Sequence, residues 1–236
     1  MAKNNKPVCV VLGVGSGNGA AIARRFAGEG YQLALLARSE KFSASLASEL
    51  EQARAYVCDA SDPESIKSAF AQIRRDLGEI DVLVYNAGSG VWGNVEDVSA
   101  ADMETAWRIN VLGAFTASRE VIPYMKQRAA GSIVFIGATA SRRGGAGTAA
   151  FAQAKSAQRT LAESMARHLW PAGIHVALVI IDGIVDIPRT RERMPDKPDS
   201  FFVNPNDVAH TVYWLARQPQ SAWSFEVEAR PFGEKW

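Results

Sequence analysis

The feature that most narrows what this chain can fold into is an alternation. Continuous apolar runs at Val8 to Leu12, Leu33 to Ala37, Val82 to Tyr85, Ile133 to Ile136 and Val176 to Ile181 are separated by longer stretches with helical spacing. Strands covered on both faces are unbroken apolar runs, whereas strands with one wet face alternate. Between the runs, Ile22 and Phe26, then Ile66, Phe70 and Ile73, recur at helix-face intervals. This β-α-β-α order specifies an α/β protein with a doubly wound parallel sheet and right-handed crossovers. Its ligands are expected at the carboxyl ends of the strands.

A length of 236 residues suits a single domain, and no linker, repeat or low-complexity tract divides it. The rhythm breaks only at about residues 187–205, where prolines and the string Arg189-Thr190-Arg191-Glu192-Arg193 replace any clean period. A lid-like mobile loop and a solvated surface excursion both fit that stretch. Twenty-six Lys and Arg balance twenty-five Asp and Glu, so no net field draws the molecule to nucleic acid or an anionic membrane. Met1 to Lys6 is polar and leads into a five-residue apolar run, too short for a membrane span or a signal-peptide core. Cys9 and Cys58 fall in or beside strand-like runs, where a thiol serves as a small hydrophobe rather than half a disulfide. A cytoplasmic protein is expected.

The three histidines form no metal constellation; His168 and His175 flank Trp170-Pro171 at a helix end, where imidazoles meet terminal carbonyls. Tyr213, Trp214, Trp223, Phe225 and Trp236 are expected in the core or a subunit interface rather than in a nucleic-acid stacking surface.

Between the first strand and an alanine-rich helix lies Leu12-Gly13-Val14-Gly15-Ser16-Gly17-Asn18-Gly19. A diphosphate needs close backbone approach, free N–H groups and the positive end of a helix dipole, and such a turn supplies all three. A tight strand-to-helix connection also needs glycine without any phosphate. The second strand ends Leu36-Ala37-Arg38-Ser39 with no acidic residue to hold a ribose 2′-hydroxyl. Arg38 offers a planar guanidinium to a 2′-phosphate, with Ser39 and Lys41 as further donors, so NADP(H) is expected over NAD(H). Solvation of a loop edge is the plainer role for Arg38.

Gly13, Gly17 and Gly19 follow a Gly-x-x-x-Gly-x-Gly spacing; Asp59 follows the third strand and Asn86-Ala87-Gly88 the fourth, with Tyr85 before them. Asn110, Lys155 in Phe151-Ala152-Gln153-Ala154-Lys155, and Gly183 complete a series that resembles the short-chain dehydrogenase/reductase family over nearly the whole chain. The resemblance implies a Rossmann fold with a cofactor held by Gly13, Ser16, Gly17, Asn18, Gly19, Arg38, Ser39, Asp59, Ala60, Asn86, Ala87, Gly88, Lys155 and Gly183. It also implies a homodimer or homotetramer. In that family a tyrosine gives the substrate its proton, a lysine lowers the tyrosine pKa and holds the ribose, a serine bonds the substrate oxygen, and an asparagine positions a relay water.

Here Lys155 and Asn110 stand at the lysine and asparagine positions, but Phe151 replaces the tyrosine and Ala138 the serine. A phenyl ring donates no proton and an alanine stabilises no oxyanion. General acid catalysis contributes about 10²- to 10⁴-fold and one oxyanion donor about 10²- to 10³-fold, so ordinary ketone reduction should be crippled. Substitutes within reach are Thr139, provided the strand has already ended there, and Asp182 before Gly183, as an acid or a partner for a cationic substrate. Asp182 capping a loop through its own backbone is the alternative. Two functions follow as expectations: hydride transfer to a small substrate that needs no tyrosine proton, such as an imine or activated alkene, or a catalytically inactive NADP(H)-binding regulatory or structural protein.

Overall fold

The computed structural model describes residues 6–88 and 90–233; Met1 to Asn5 and Trp236, which the sequence reading touches, lie outside them. In chain order the elements are β1 (Val8–Leu12), α1 (Asn18–Gly28), β2 (Gln32–Ala37), α2 (Glu40–Glu49), β3 (Ala53–Val57), α3 (Pro63–Asp76), β4 (Ile80–Tyr85), α4 (Ala100–Trp107) and α5 (Gly113–Arg128). They continue with β5 (Gly131–Ala138), α6 (Ala149–Leu169), β6 (Ile174–Ile181), β7 (Ile184–Val185), α7 (Pro188–Arg193), β8 (Phe202–Val203), α8 (Pro205–Ala216) and β9 (Glu226–Ala229). Seven strands form one parallel sheet in the order β3-β2-β1-β4-β5-β6-β9, the doubly wound arrangement that the alternation specifies. The chain reverses its winding between β1 and β4, so the crevice at their carboxyl ends is where such sheets hold ligands.

Every residue of β1 and β6 is buried, as expected for strands with helices on both faces. One core layer stacks Phe70, Ile66 and Ile73 of α3 against Leu83, Phe135 and Leu178; the other stacks Ile22 and Phe26 of α1 against Leu35, Val84 and Val179. Helix starts follow local chemistry. Asp62 accepts from the Glu64 N–H at 3.0 Å with Pro63 in the first turn of α3, and Ser99 and Asp102 cap α4 reciprocally.

Residues 188–205 carry more order than their sequence period indicates. They contain α7, and β8 pairs in parallel with β7. Arg191, from the charged string, is clamped by Asp186 and Asp199 and lies over the Phe202 ring at 4.1 Å. Ile187, at the start of this excursion, rests on the glycine turn at Gly17. Cys9 and Cys58 are buried free thiols, and burial raises both above the usual thiol range.

His175 lies within β6 rather than at the helix end predicted for it, while His168 ends α6 with its ring 3.2 Å from the Lys126 ammonium. The His175 ring stacks on Trp223 at 4.7 Å and sits between the Leu215 carbonyl closing α8, at 3.0 Å, and the Ser224 carbonyl leading to β9, at 2.9 Å. It therefore latches the last helix and last strand to the sheet. Burial lowers its pKa, and the two carbonyls oppose that shift without overcoming it. The unfolded chain takes up a proton near 6.5 that the folded chain refuses, so this contribution to stability is present above 6.5 and lost as pH falls through it. His175→Phe keeps a stacking ring but strands a buried carbonyl, so chemical denaturation at pH 8 should show a loss of about 1–3 kcal/mol. The drop in stability between neutral and mildly acid pH should be shallower in the variant than in the parent.

Candidate active site at the carboxyl edge

The turn after β1 is built by contacts that fix it whether or not a ligand is present. Gly13 has φ +103°, and a Cβ there would lie 2.3 Å from the Ala87 nitrogen. Its carbonyl accepts from Asn86 Nδ2 at 2.6 Å, and its N–H and that of Val14 both donate to the Leu36 carbonyl, at 2.9 and 3.0 Å. A Cβ on Gly19 would meet the Gly13 carbonyl at 2.6 Å, so that glycine lets α1 pack on the turn. Gly15 differs: nothing lies within 4 Å of its Cβ position and it is exposed, so neither packing nor backbone conformation requires glycine there. Beside it Ser16 is exposed, α1 begins with no side-chain cap, and Asn18 holds its Oδ1 buried without a hydrogen-bond partner among the described residues. The open cradle and free helix N–H groups fit an anion, while Asn18 Oδ1, an acceptor, is left for a donor such as a ligand hydroxyl.

Arg38 and Ser39 are exposed at the end of β2. Asp59 Oδ1 accepts from the Ser61 N–H at 2.8 Å and hydroxyl at 2.7 Å. These bonds, helped by the charges of Arg38 and Arg108, hold its carboxyl below the usual range. Arg38 and Asp59 thus share one end of the crevice, with Ala60 buried beside them.

At the other end Asn110 sits in a π-helical turn, Arg108–Leu112, between α4 and α5. The buried Tyr85 hydroxyl donates to the Ile109 carbonyl in that turn, which explains a tyrosine at the end of β4; burial raises its pKa. Asn110 Nδ2 donates to the Ala106 carbonyl at 2.9 Å, leaving its Oδ1 buried and unpartnered among the described residues. Lys155 is buried, and its Nζ donates to the Ile136 carbonyl at 2.8 Å and to Gln158 Oε1 at 3.0 Å. Burial brings its pKa down to about 7. Gly88 completes the cluster: a Cβ there would be 3.5 Å from Asn110 Oδ1 and 3.6 Å from Lys155 Nζ. Phe151, one turn before Lys155, packs on Trp92 with ring centroids 5.1 Å apart, and Trp92 is 62% exposed. An aromatic pair therefore lines the wall beside Lys155, and Ala138 is half-buried at the end of β5.

Thr139 and Asp182 are turned to a different task. The Thr139 hydroxyl donates to Asp182, whose second oxygen accepts from Arg230, and Arg143 lies 3.8 Å away. These residues, with Arg142, Ile180 and Glu228, line a cavity of about 120 Å³ that does not include Lys155 or Asn110. Asp182 reaches a partner arginine and a neighbouring hydroxyl rather than only its own backbone. Gly183 follows it, where a Cβ would run into Pro231.

Sequence reasoning missed three residues. Gln158 lies three positions after Lys155, a spacing that puts both on one helix face and was the available signal. Trp92 and Arg230 carry no local signature.

Among the described residues there is no group of side chains fit to hold a metal ion and no helix long and apolar enough to cross a membrane. A parallel sheet with a glycine turn at its switch point defines a dinucleotide-fold protein. The family model for short chain dehydrogenase matches residues 7–198, and the chain belongs to that family of oxidoreductases. It is 32% identical over 215 residues, 88% of each chain, to the cyclic-di-GMP-binding biofilm dispersal mediator protein of Escherichia coli. A short-chain dehydrogenase from Rhodopseudomonas palustris has a TM-score of 0.83 at 33% identity, with 97% of this chain and 100% of that one covered. An actinorhodin polyketide ketoreductase solved with NADPH has a TM-score of 0.88 at 26% identity, covering 98% of each chain.

The contrast between two glycines is testable. Gly13→Ala should cost at least about 2–3 kcal/mol in denaturant unfolding, since both φ and the Ala87 contact oppose it. Gly15→Ala should stay within about 0.5 kcal/mol of the parent, as for a surface change that touches nothing.

Proposed function

We propose that this chain binds NADP(H) along the carboxyl edge and transfers hydride to or from a small organic substrate that requires no tyrosine proton, an imine (as its iminium) or an activated alkene. The observation that carries this reading is the Phe151–Trp92 aromatic wall beside Lys155 and Asn110, whose polar atoms remain poised for a ligand. A cofactor of this class supplies the hydride when bound. For its part, the chain would offer Gly13, Ser16, Gly17, Asn18 and Gly19 to the diphosphate and Arg38 and Ser39 to a 2′-phosphate. Asp59, Ala60, Asn86, Ala87, Gly88 and Gly183 would line its remaining length. Lys155 would hold the ribose with an ammonium N–H.

The fit of the site to such a group rests on the open cradle at Gly15 and on the unpartnered Oδ1 atoms of Asn18 and Asn110. An iminium carries the charge that an aromatic face attracts, and it accepts hydride without a proton from a side chain. An activated alkene would take its proton from solvent.

A second reading, a catalytically inactive NADP(H)-binding regulator, is favoured by one observation: the Escherichia coli relative is named for the nucleotide it binds and the process it mediates, not for a reaction. Turnover separates the two. A regulator would bind NADPH and oxidise it with none of a panel of ketones, cyclic imines and enones.

NADPH should bind at least tenfold more tightly than NADH, because a charge-assisted fork onto a 2′-phosphate contributes about 1.5–3 kcal/mol. Calorimetry on Arg38→Ala should show that preference gone, and equal affinities in the parent would refute it. The double variant Phe151→Tyr, Ala138→Ser adds one hydroxyl to a ring in place and one oxygen to a half-buried methyl, so overpacking should be slight. Its NADPH-dependent reduction of a reactive diketone should rise at least about tenfold, a cautious fraction of what acid catalysis contributes. The two changes should act non-additively, as groups on one oxygen do. A folded, NADPH-saturated double variant with no gain on any carbonyl would count for the regulator.

A further inference from the structure

Gln158 is fully buried on α6 and does two opposite things at once. Its Oε1 accepts from Lys155 Nζ at 3.0 Å, and its Nε2 donates to the Asn110 main-chain carbonyl at 2.8 Å. One amide thereby spans the lysine on α6 and the π-helical turn between α4 and α5. Both of its ends are satisfied, so a buried polar group that would otherwise destabilise the core is retained.

We propose that Gln158 is the positioning residue of this site: a fixed bridge that aims the Lys155 ammonium into the crevice and closes its route for protons toward Asn110. Two of the three Nζ hydrogens are committed, to the Ile136 and Gln158 oxygens, and the tetrahedral geometry of nitrogen then fixes where the third points. Gly88 borders Nζ without a side chain of its own, and a Cβ there would lie 3.6 Å from it. A carboxamide holds its protons on nitrogen and does not exchange them along a chain as a hydroxyl or a water does. The link from Lys155 to Asn110 therefore orients without conducting. That suits a site where Phe151 has no proton to be replenished.

The groups facing Nζ are neutral: the Ile136 carbonyl from β5, the Gln158 amide and Gly88 from the turn after β4, with the Asn110 amide on the other side of Gly88. No ionised side chain contributes to its lowered pKa, which comes from burial. The charge state of Lys155 should thus report directly on the Gln158 acceptor.

The test uses the full chain, labelled with ¹³C at lysine Cε, with Lys155→Ala assigning the signal. In the ligand-free parent the Lys155 resonance should titrate near 7. Gln158→Leu removes an acceptor from the ammonium and should move the titration down by about one pH unit. Gln158→Glu, nearly isosteric, sets a carboxylate against it and should move it up by a similar amount or more. In calorimetry Gln158→Leu should weaken NADPH binding about tenfold, and Gln158→Glu should retain more of it.

The binding arm rests on the cofactor reading, but the titration does not. Shifted titrations in the variants, beside a parent that fails to bind NADPH, would sustain the bridge and refute the cofactor. An unchanged titration in a folded Gln158→Leu or Gln158→Glu chain overturns the bridge, and an unchanged NADPH affinity beside a shifted titration overturns its role in aiming Lys155.

Discussion

The constraint on which the site depends is the approach of two backbones at the carboxyl ends of β1 and β4. Gly13 passes so close to Ala87 that no side chain fits between them, and Asn86 bonds the Gly13 carbonyl across the gap. That contact sets the mouth of the crevice. The same turn is stitched to the end of β2 through Leu36, and α1 lies against it through Gly19. The short distance therefore fixes the glycine turn, the start of α1 and the Asn86-Ala87-Gly88 segment as one rigid body. Gly88, at its far end, then faces Lys155 and Asn110. The glycine turn and Lys155, from distant parts of the chain, are held in register by this packing.

The central sheet was legible because its strands are covered on both faces, and continuous apolar runs follow from that alone. The edges were less so. β3 pairs on one side only and mixes Arg54 with Tyr56, so only its end, beside Cys58 and Asp59, was legible and no continuous run bounds it. β9 at the other edge carries Glu226 and Glu228, whose partners Arg142, Arg159 and Arg230 include two from well upstream. No local period records pairings of that kind. Ile187 and Arg191 show the same limit in the 187–205 excursion, where order comes from an apolar contact on Gly17 and from two carboxylates.

The site was legible where spacing and strand ends decide. Asn110, Lys155 and Gly88 come together, and Arg38 shares the far end with Asp59. Thr139 and Asp182 do not join them, because the hydroxyl bonds the carboxylate and the carboxylate bonds the half-buried Arg230. Whether a polar side chain near a strand end faces the crevice or a neighbouring arginine depends here on Arg230, just past β9 and 48 residues after Asp182. The sequence period carries no trace of that arginine's position.

Exchanging a phenol and a hydroxyl for Phe151 and Ala138 also alters how charge is held. An ammonium removed from water loses several kcal/mol, and each hydrogen bond from a charged group returns about 1.5–3 kcal/mol. Around Lys155 the return comes only from neutral dipoles, the Ile136 carbonyl and the Gln158 amide. The return falls short of the cost, so burial brings its pKa down to about 7. A lysine whose two charge states are both accessible at neutral pH responds to what enters beside it. A ligand presenting hydroxyl or phosphate oxygens favours the ammonium, whereas an apolar ligand against Phe151 favours the free amine. Binding of ligand and binding of a proton are then linked by the same free energy, and each raises or lowers the other's affinity by an equal factor. With no neighbouring acid to set the charge of the lysine, any occupant of this crevice would weigh directly on it.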